Sequence, residues 1–251
     1  MPRFFIAASQ ISDGIVTIEG VDAHHIARSL RMAAGEHITV CDKENTLYDC
    51  ELVHFEDDRV VTARVISASP MKTEPPVAVT LYQALPKGDK MDMIIQKAVE
   101  CGVCHIVPFE SEHCVVRVKQ DAEDRKTERR CRIASEAAKQ CGRGILPEVE
   151  PTVSFDRMLR MASEADLCLF CYEGEGTLPL KSLIRSKLPD ISSDRTPTIS
   201  VIIGSEGGFS PAEVQRAKEK GALPVGLGPR ILRTETASCF VLSALVYEFE
   251  L

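Results

Sequence analysis

The chain has 251 residues, 44% of them hydrophobic and 5% aromatic, with a formal net charge of −7. That is enough apolar material for one large or two modest packed domains, and the acidic balance excludes a uniformly basic nucleic-acid binder, although binding follows local patches rather than the whole-chain sum. No apolar run reaches the ~18 residues of a membrane span, MPRFFIAASQ lacks signal-peptide architecture, and ten cysteines without an export signal fit a reducing cytoplasm.

Residues 1–68 read mostly as strands, at 3–7, 15–18, 37–41, 47–55 and 60–67. Strands joined by short turns predict a small β-barrel. A helix over 22–33 interrupts them, with Asp22 as cap and Gly35 just past its end. It carries His24, His25, Arg28 and Arg31; the two arginines, three apart, would share one face and reach phosphates, while a plain surface helix accounts for them equally well. SPMKTEPP, 69–76, is Pro-rich and charged and reads as a linker, which sets domains at 1–70 and 71–251.

From Val77 the period changes to alternating strand and helix. Strands are expected at 77–81, 105–108 and 166–172, and helices at 89–100, 125–141, 155–162 and 178–188, with a loop over 189–197. In the first of these helices Met91, Ile94, Ile95, Ala98 and Val99 form one apolar stripe, which is core. Between Arg125 and Arg143 there are seven basic residues, opposed only by Glu128 and Glu136. Such alternation predicts a parallel sheet with helices on both faces.

The most informative stretch is 198–238. It reads as strand, glycine turn, helix, strand, glycine turn, helix. Ser210 is an N-cap, Pro211 takes the first helical position, Glu213 completes a capping box, and Phe209 and Val214 form a hydrophobic staple. Two glycine loops then leave the same end of two parallel strands, the end where open α/β sheets bind ligands. Neither loop has the spacing of a P-loop or a dinucleotide fingerprint. The pairs Cys101/Cys104 and Cys168/Cys171 are too far apart for a zinc ribbon, and no metal is expected.

IIGSEGGFSPAEV (202–214) followed by LGPRILRTETA (227–237) resembles the paired signature of the RsmE-type family. These enzymes methylate ring nitrogen N3 of a small-subunit ribosomal RNA uridine and belong to the SPOUT superfamily. QALPKGDKMDMIIQKAVECGV, SEAAKQCGR and HHIARSLRMAAGE are similar to family segments in the same order. Ser205 and His113 depart from the family pattern, where proline and arginine are expected. The resemblance implies an α/β fold with a C-terminal trefoil-knotted methyltransferase domain and an N-terminal PUA-like β-barrel. It implies S-adenosyl-L-methionine as cofactor, held by Tyr172, Glu173, Ile203, Gly204, Glu206, Gly207, Gly208, Leu227, Gly228, Ile231 and Leu232. The residues themselves offer Arg233 as the catalytic cation for the base or its flanking phosphate, or else as a loop strut paired with Glu206 or Glu235. They offer Glu235 as a catalytic aid in removing the N3 proton, or equally as a carboxylate near the start of the last helix. Arg3, His25, Arg28, Arg31, Arg129, Arg132 and Arg143 are expected on RNA. The implied partners are small-subunit ribosomal RNA, free or assembled, and a second copy of the chain. Two alternatives stand beside it: a non-catalytic RNA-binding or assembly protein, and a nucleotide-using enzyme of ordinary doubly wound type.

Overall fold

The computed structural model describes residues 1–42, 45–118, 120–187 and 195–251. The chain divides into two compact units. One comprises Met1–Glu74 with Ala138–Leu146, the other Pro75–Ala137 with Pro147–Leu251.

The first unit is built on β1 (Arg3–Phe5), β2 (Ile11–Ser12), β3 (Ile15–Glu19), a short helix α1 (Gly20–His24), β4 (His37–Cys41), β5 (Thr46–Glu56) and β6 (Val60–Pro70). The sheet order is β1-β4-β5-β6-β3-β2, so β1 and β2 stand at its ends. Phe4, Val16, Ile18, Ile38, Val40, Leu52, Val61 and Ala63 alternate along their strands into one buried core, the period-two signature of a half-buried sheet.

Two expectations fail here. The helix is short: α1 passes at His25 into a π-type turn that ends at Ser29, and Arg31 takes a left-handed φ of 54°. Only Ala23 and Ile26 are buried on it, too little apolar face to carry a longer helix. Arg28 and Arg31 therefore do not share a helix face. Asp22 is no cap; its carboxylate accepts from Lys139 Nζ at 2.8 Å. The expected linker also begins inside the sheet, since β6 stays paired as far as Pro70. Glu74 accepts from Arg143 Nε at 2.9 Å and Nη2 at 2.6 Å, and from the Gly144 amide at 2.8 Å.

The second unit is a parallel α/β layer structure. Its elements are β7 (Ala78–Ala84), α2 (Lys90–Glu100), β8 (His105–Glu110), α3 (Gln120–Cys141, whose end groups with the first unit), β9 (Glu148–Val149), β10 (Val153–Ser154), α4 (Phe155–Ala162), β11 (Leu167–Cys171), β12 (Leu178–Pro179), α5 (Leu180–Lys187), β13 (Thr198–Ile203), α6 (Pro211–Glu219), β14 (Leu223–Gly226) and α7 (Thr234–Glu250). The order is β10-β8-β7-β13-β11-β14-β12, with β9 on β8 and every pairing parallel. Burial on both faces explains near-continuous runs such as Ile199–Ile203, where all five residues are buried. The α2 stripe of Met91, Ile94, Ile95, Ala98 and Val99 is buried as expected. The four shortest strands, β2, β9, β10 and β12, have two residues each and no legible period. The expected loop 189–197 lies largely outside the described residues, as does the end of the helix before it.

Candidate cofactor site

β11 lies between β13 and β14 and is parallel to both. Three loops therefore leave the carboxyl ends of three neighbouring strands. They enclose a cavity of about 770 Å³, within the range of small-molecule sites. The first loop follows β11: Tyr172 and Glu173 line the cavity, and Gly174 is there because a Cβ would sit 2.0 Å from the Tyr172 ring. The second loop, Gly204–Gly208, follows β13. The third runs from Leu227 to Arg233 after β14. Every residue expected to hold the cofactor contributes to this wall, and so does Arg233.

The glycine loop after β13 is fixed from several sides. Phe209 is buried with its ring 4.3 Å from that of Phe170 and tilted against it, and further rings of Phe109 and Phe155 complete the cluster. Ser210 accepts from the Glu213 amide and Glu213 from the Ser210 amide, the reciprocal capping box that starts α6. Gly208 has φ +65°, a conformation glycine adopts without strain. Gly207 is needed for another reason: a Cβ there would lie 2.8 Å from the Cβ of His113, whose Nδ1 donates to the Gly207 carbonyl at 2.8 Å. Ser205 is 8% exposed, and its hydroxyl has no hydrogen-bond partner among the described residues.

A buried polar chain ties this loop to α7. Ser238 donates to Gln83 Oε1 at 2.7 Å, Gln83 Nε2 donates to the Thr234 hydroxyl at 2.9 Å, and Thr234 donates to the Gly204 carbonyl at 2.6 Å. Gln83 is fully buried, so each of these bonds replaces one lost to water. Glu206 lines the cavity but turns its carboxylate to α2, accepting from Lys90 Nζ at 2.8 Å and from the Lys87 amide at 3.1 Å. Partial burial pulls that carboxyl upward, but the bonds from Lys90 and Lys87 outweigh it and hold Glu206 below the ordinary carboxylate range.

Arg233 sits at the N-cap position of α7, exposed; its carbonyl accepts from the Ala237 amide at 2.8 Å, while its guanidinium makes no side-chain hydrogen bond or ion pair among the described residues. The two carboxylates that would have made it a loop strut, Glu206 and Glu235, face Lys90 instead. Glu235 departs from expectation. It does not line the cavity, and its side chain is 14% exposed beside Lys90 in the first turn of α7, where a carboxylate complements the helix dipole. Ile231 borders the cavity as expected but is 85% exposed, so within one chain much of its side chain faces outward.

The RNA methyltransferase domain family matches residues 73–246, and the RNA methyltransferase PUA domain family matches 18–69. The chain is 37% identical to the ribosomal RNA small subunit methyltransferase E of Bacillus subtilis, over all of this chain and 98% of that one. The chain belongs to the ribosomal RNA small subunit methyltransferase E family. A crystal structure of the family member from Neisseria gonorrhoeae, bound to S-adenosyl methionine, superposes with a TM-score of 0.82 at 29% identity, covering 99% of this chain and 98% of that one. A Legionella pneumophila methyltransferase in complex with the same cofactor gives 0.83 at 29% identity, over 98% and 97%.

The residues expected on RNA fall into different settings. In the first unit, Arg28 and His24 are exposed and share Asp58, at 3.1 and 3.0 Å, while His25 is exposed and edge-on to Phe4. Arg31 is exposed, and Arg3 is half-buried, donating to the Arg143 carbonyl at 3.3 Å. Arg143 is 3% exposed on Glu74, so a phosphate contact is not what the structure gives it. In the second unit, Arg132 is exposed and Arg129 pairs with Asp92 at 2.5 Å on the outer face. Arg130, one of the seven basic residues, faces inward, 6% exposed, between Glu123 and Thr152. Sequence reasoning missed Gln83, Lys90, Thr234 and Arg230. The first two lie in the QALPKGDK segment, whose resemblance was the only signal that they bear on the site.

Proposed function

We propose that this chain transfers the methyl group of S-adenosyl-L-methionine to ring nitrogen N3 of a uridine in small-subunit ribosomal RNA. The observation that carries the reading is the cavity at the ends of β11, β13 and β14, rimmed by an uncommitted Arg233. The residues fit the cofactor: glycine-loop backbone offers hydrogen bonds to adenine and ribose, and Leu227 and Leu232 supply apolar wall. When bound, the cofactor supplies a methyl on a sulfonium, already a good leaving group. The protein's own task lies on the RNA side. Uridine N3 must lose a weakly acidic proton, and the uracil oxygens then carry the charge. Arg233 is placed to stabilise that charge. Glu235, paired on Lys90, serves better as an anchor of α7 than as the base.

The first domain, 1–70, is read as the PUA-like RNA-binding barrel, with Arg28 and Arg31 as phosphate contacts, and 71–251 as the methyltransferase domain. A trefoil knot is part of this reading on the family resemblance, and the order β13-β11-β14 is compatible with it. A homodimer is supported by the exposed Ile231, Phe240 and Tyr247, since a second copy would cover the open side of the cavity. The site of action is the cytoplasm, where ribosomes are made.

Calorimetric titration with S-adenosylmethionine, together with mass mapping of methylated nucleotides in small-subunit RNA from a strain lacking the gene, tests the reading. Binding and the loss of one N3-methyluridine are expected. A chain that binds no cofactor and leaves the methylation pattern intact is the assembly protein of the alternative.

A further inference from the structure

Lys90, the first residue of α2, lies outside the cavity wall yet touches two elements that build it. Its Nζ lies 2.8 Å from Glu206 Oε1 and 3.4 Å from Glu235 Oε2. Glu206 belongs to the glycine loop after β13, and Glu235 to the first turn of α7. The three side chains are part-buried, at 27%, 26% and 14% exposed. The Glu206 hydrogen bond raises the Lys90 ammonium above its ordinary value, against a smaller desolvation cost, and Glu235 adds to the effect. One cation thus neutralises one of two carboxylates and screens each from the other.

The neighbouring charges show what its removal releases. On α2, Asp92 is committed to Arg129. On the loop after β14, Arg230 and Arg233 make no ion pair among the described residues, and both line the same cavity as Glu206. Without Lys90, Glu206 and Glu235 would lose the cation they share, and the cations around Glu206 would be Lys87, whose amide already bonds its carboxylate, and the two arginines of the same cavity wall.

We propose that Lys90 is a positioning residue for methyl transfer: its ammonium clasps Glu206 and Glu235, fixes the glycine loop against the start of α7, and thereby leaves Arg233 free for the RNA. The proposal rests on the reading of the cavity as the S-adenosylmethionine site. It is distinct from a packing role, because the lysine acts through charge on two partners.

The full chain is compared with Lys90→Met, Lys90→Arg and the double variant Lys90→Met/Glu235→Gln. Cofactor affinity is measured by calorimetry, and kcat and KM by methyl transfer to small-subunit RNA. Lys90→Met should lower kcat by roughly ten- to a hundredfold, the cost of displacing a reacting group by about an ångström, with KM for RNA raised and cofactor Kd changed less. Lys90→Arg should retain most activity. Replacing Glu235 in the Lys90→Met background should recover part of the loss, because one of the two repelling carboxylates is gone. Should Lys90→Met fail to fold, Lys90→Gln carries the same comparison. Wild-type kinetics in Lys90→Met would overturn the proposal, and so would a double variant no better than the single one. A wild-type chain that neither binds cofactor nor transfers methyl would instead remove the underlying reading of the site.

Discussion

Arg233 is the residue on which the proposed chemistry turns. It carries a planar fork of donors, it is uncommitted, and it borders a cavity with apolar walls. Arg233→Ala should lower kcat by about 10²–10³, the usual loss for one donor to a developing anion, with cofactor Kd nearly unchanged. Arg233→Lys should recover only part, since a point charge replaces the fork. Steady-state kinetics alongside calorimetry separates this from a loop strut, which would lose Kd in proportion to activity. Gly207 carries a different lesson. A run of glycines permits a close approach to the backbone, but the group that approaches Gly207 is His113, far away in sequence, and no local pattern names it. Gly207→Ala should therefore destabilise the chain as well as weaken the cofactor. Trimming the side chain in Gly207→Ala/His113→Gly should restore the thermal midpoint in part, as thermal unfolding of both variants would report. Glu235 and Arg143 mislead for the same reason: charge is visible in a sequence, but the partner that commits it is not.

At the scale of elements, local rules were sufficient wherever several signals agreed. The start of α6 is the best case, with Ser210, Pro211, Glu213, Phe209 and Val214 all placed as the sequence required. Ser210→Ala should cost about 1 kcal/mol, the usual loss of an N-cap hydrogen bond, read as a lower midpoint in denaturant. Because α6 continues from the glycine loop, a small rise in cofactor Kd should accompany it. Where end signals stood without a buried stripe between them, the prediction failed. The helix expected over 22–33 rested on Asp22 as cap and Gly35 just past its end, but it has only two buried side chains to hold it, so the chain leaves the helix at Ser29. SPMKTEPP looked like a linker by composition; Pro70 is in fact the last paired residue of β6, and Glu74 is held by Arg143 and two backbone amides. The two-residue strands have no period to read, and only the partner strand beside each, antiparallel for β2 and parallel for β9, β10 and β12, defines it.

Across the whole molecule, several carboxylates are held below their ordinary range, and that sets the response to acid. Glu123 is one: burial raises its carboxyl, but hydrogen bonds from Thr152 and the Arg130 charge outweigh it and bring it below the ordinary 4.5. Asp166 is lowered by hydrogen bonds from the Thr198 amide and hydroxyl and by Arg195. A carboxyl whose folded value lies below its unfolded one favours folding when ionised. Its contribution is complete above the unfolded value and is lost as pH falls through the folded value. Thermal midpoints should then be flat between about pH 5 and about pH 8 and decline below that window. Glu123→Gln should lower the neutral-pH midpoint and make the acid decline shallower, and an unchanged slope would remove Glu123 from the account. Thiols point the other way: burial pushes Cys168 and Cys171 up to about 12, so both stay protonated and unreactive at neutral pH.

The first unit is discontinuous, because Ala138–Leu146 belongs with Met1–Glu74. Within it, Arg143 closes on Glu74, Lys139 reaches Asp22, and the Arg3 guanidinium reaches the Arg143 carbonyl. During synthesis the nascent chain cannot complete this unit when Glu74 leaves the ribosome. The sheet can form, but Glu74 and Asp22 wait as uncompensated carboxylates until residue 146 has also been made. By then β7, α2, β8 and all of α3 have been translated. Folding of the amino-terminal unit is thus timed by a segment of the carboxyl-terminal half, and a release of the chain between those two points yields a sheet without its counter-charges.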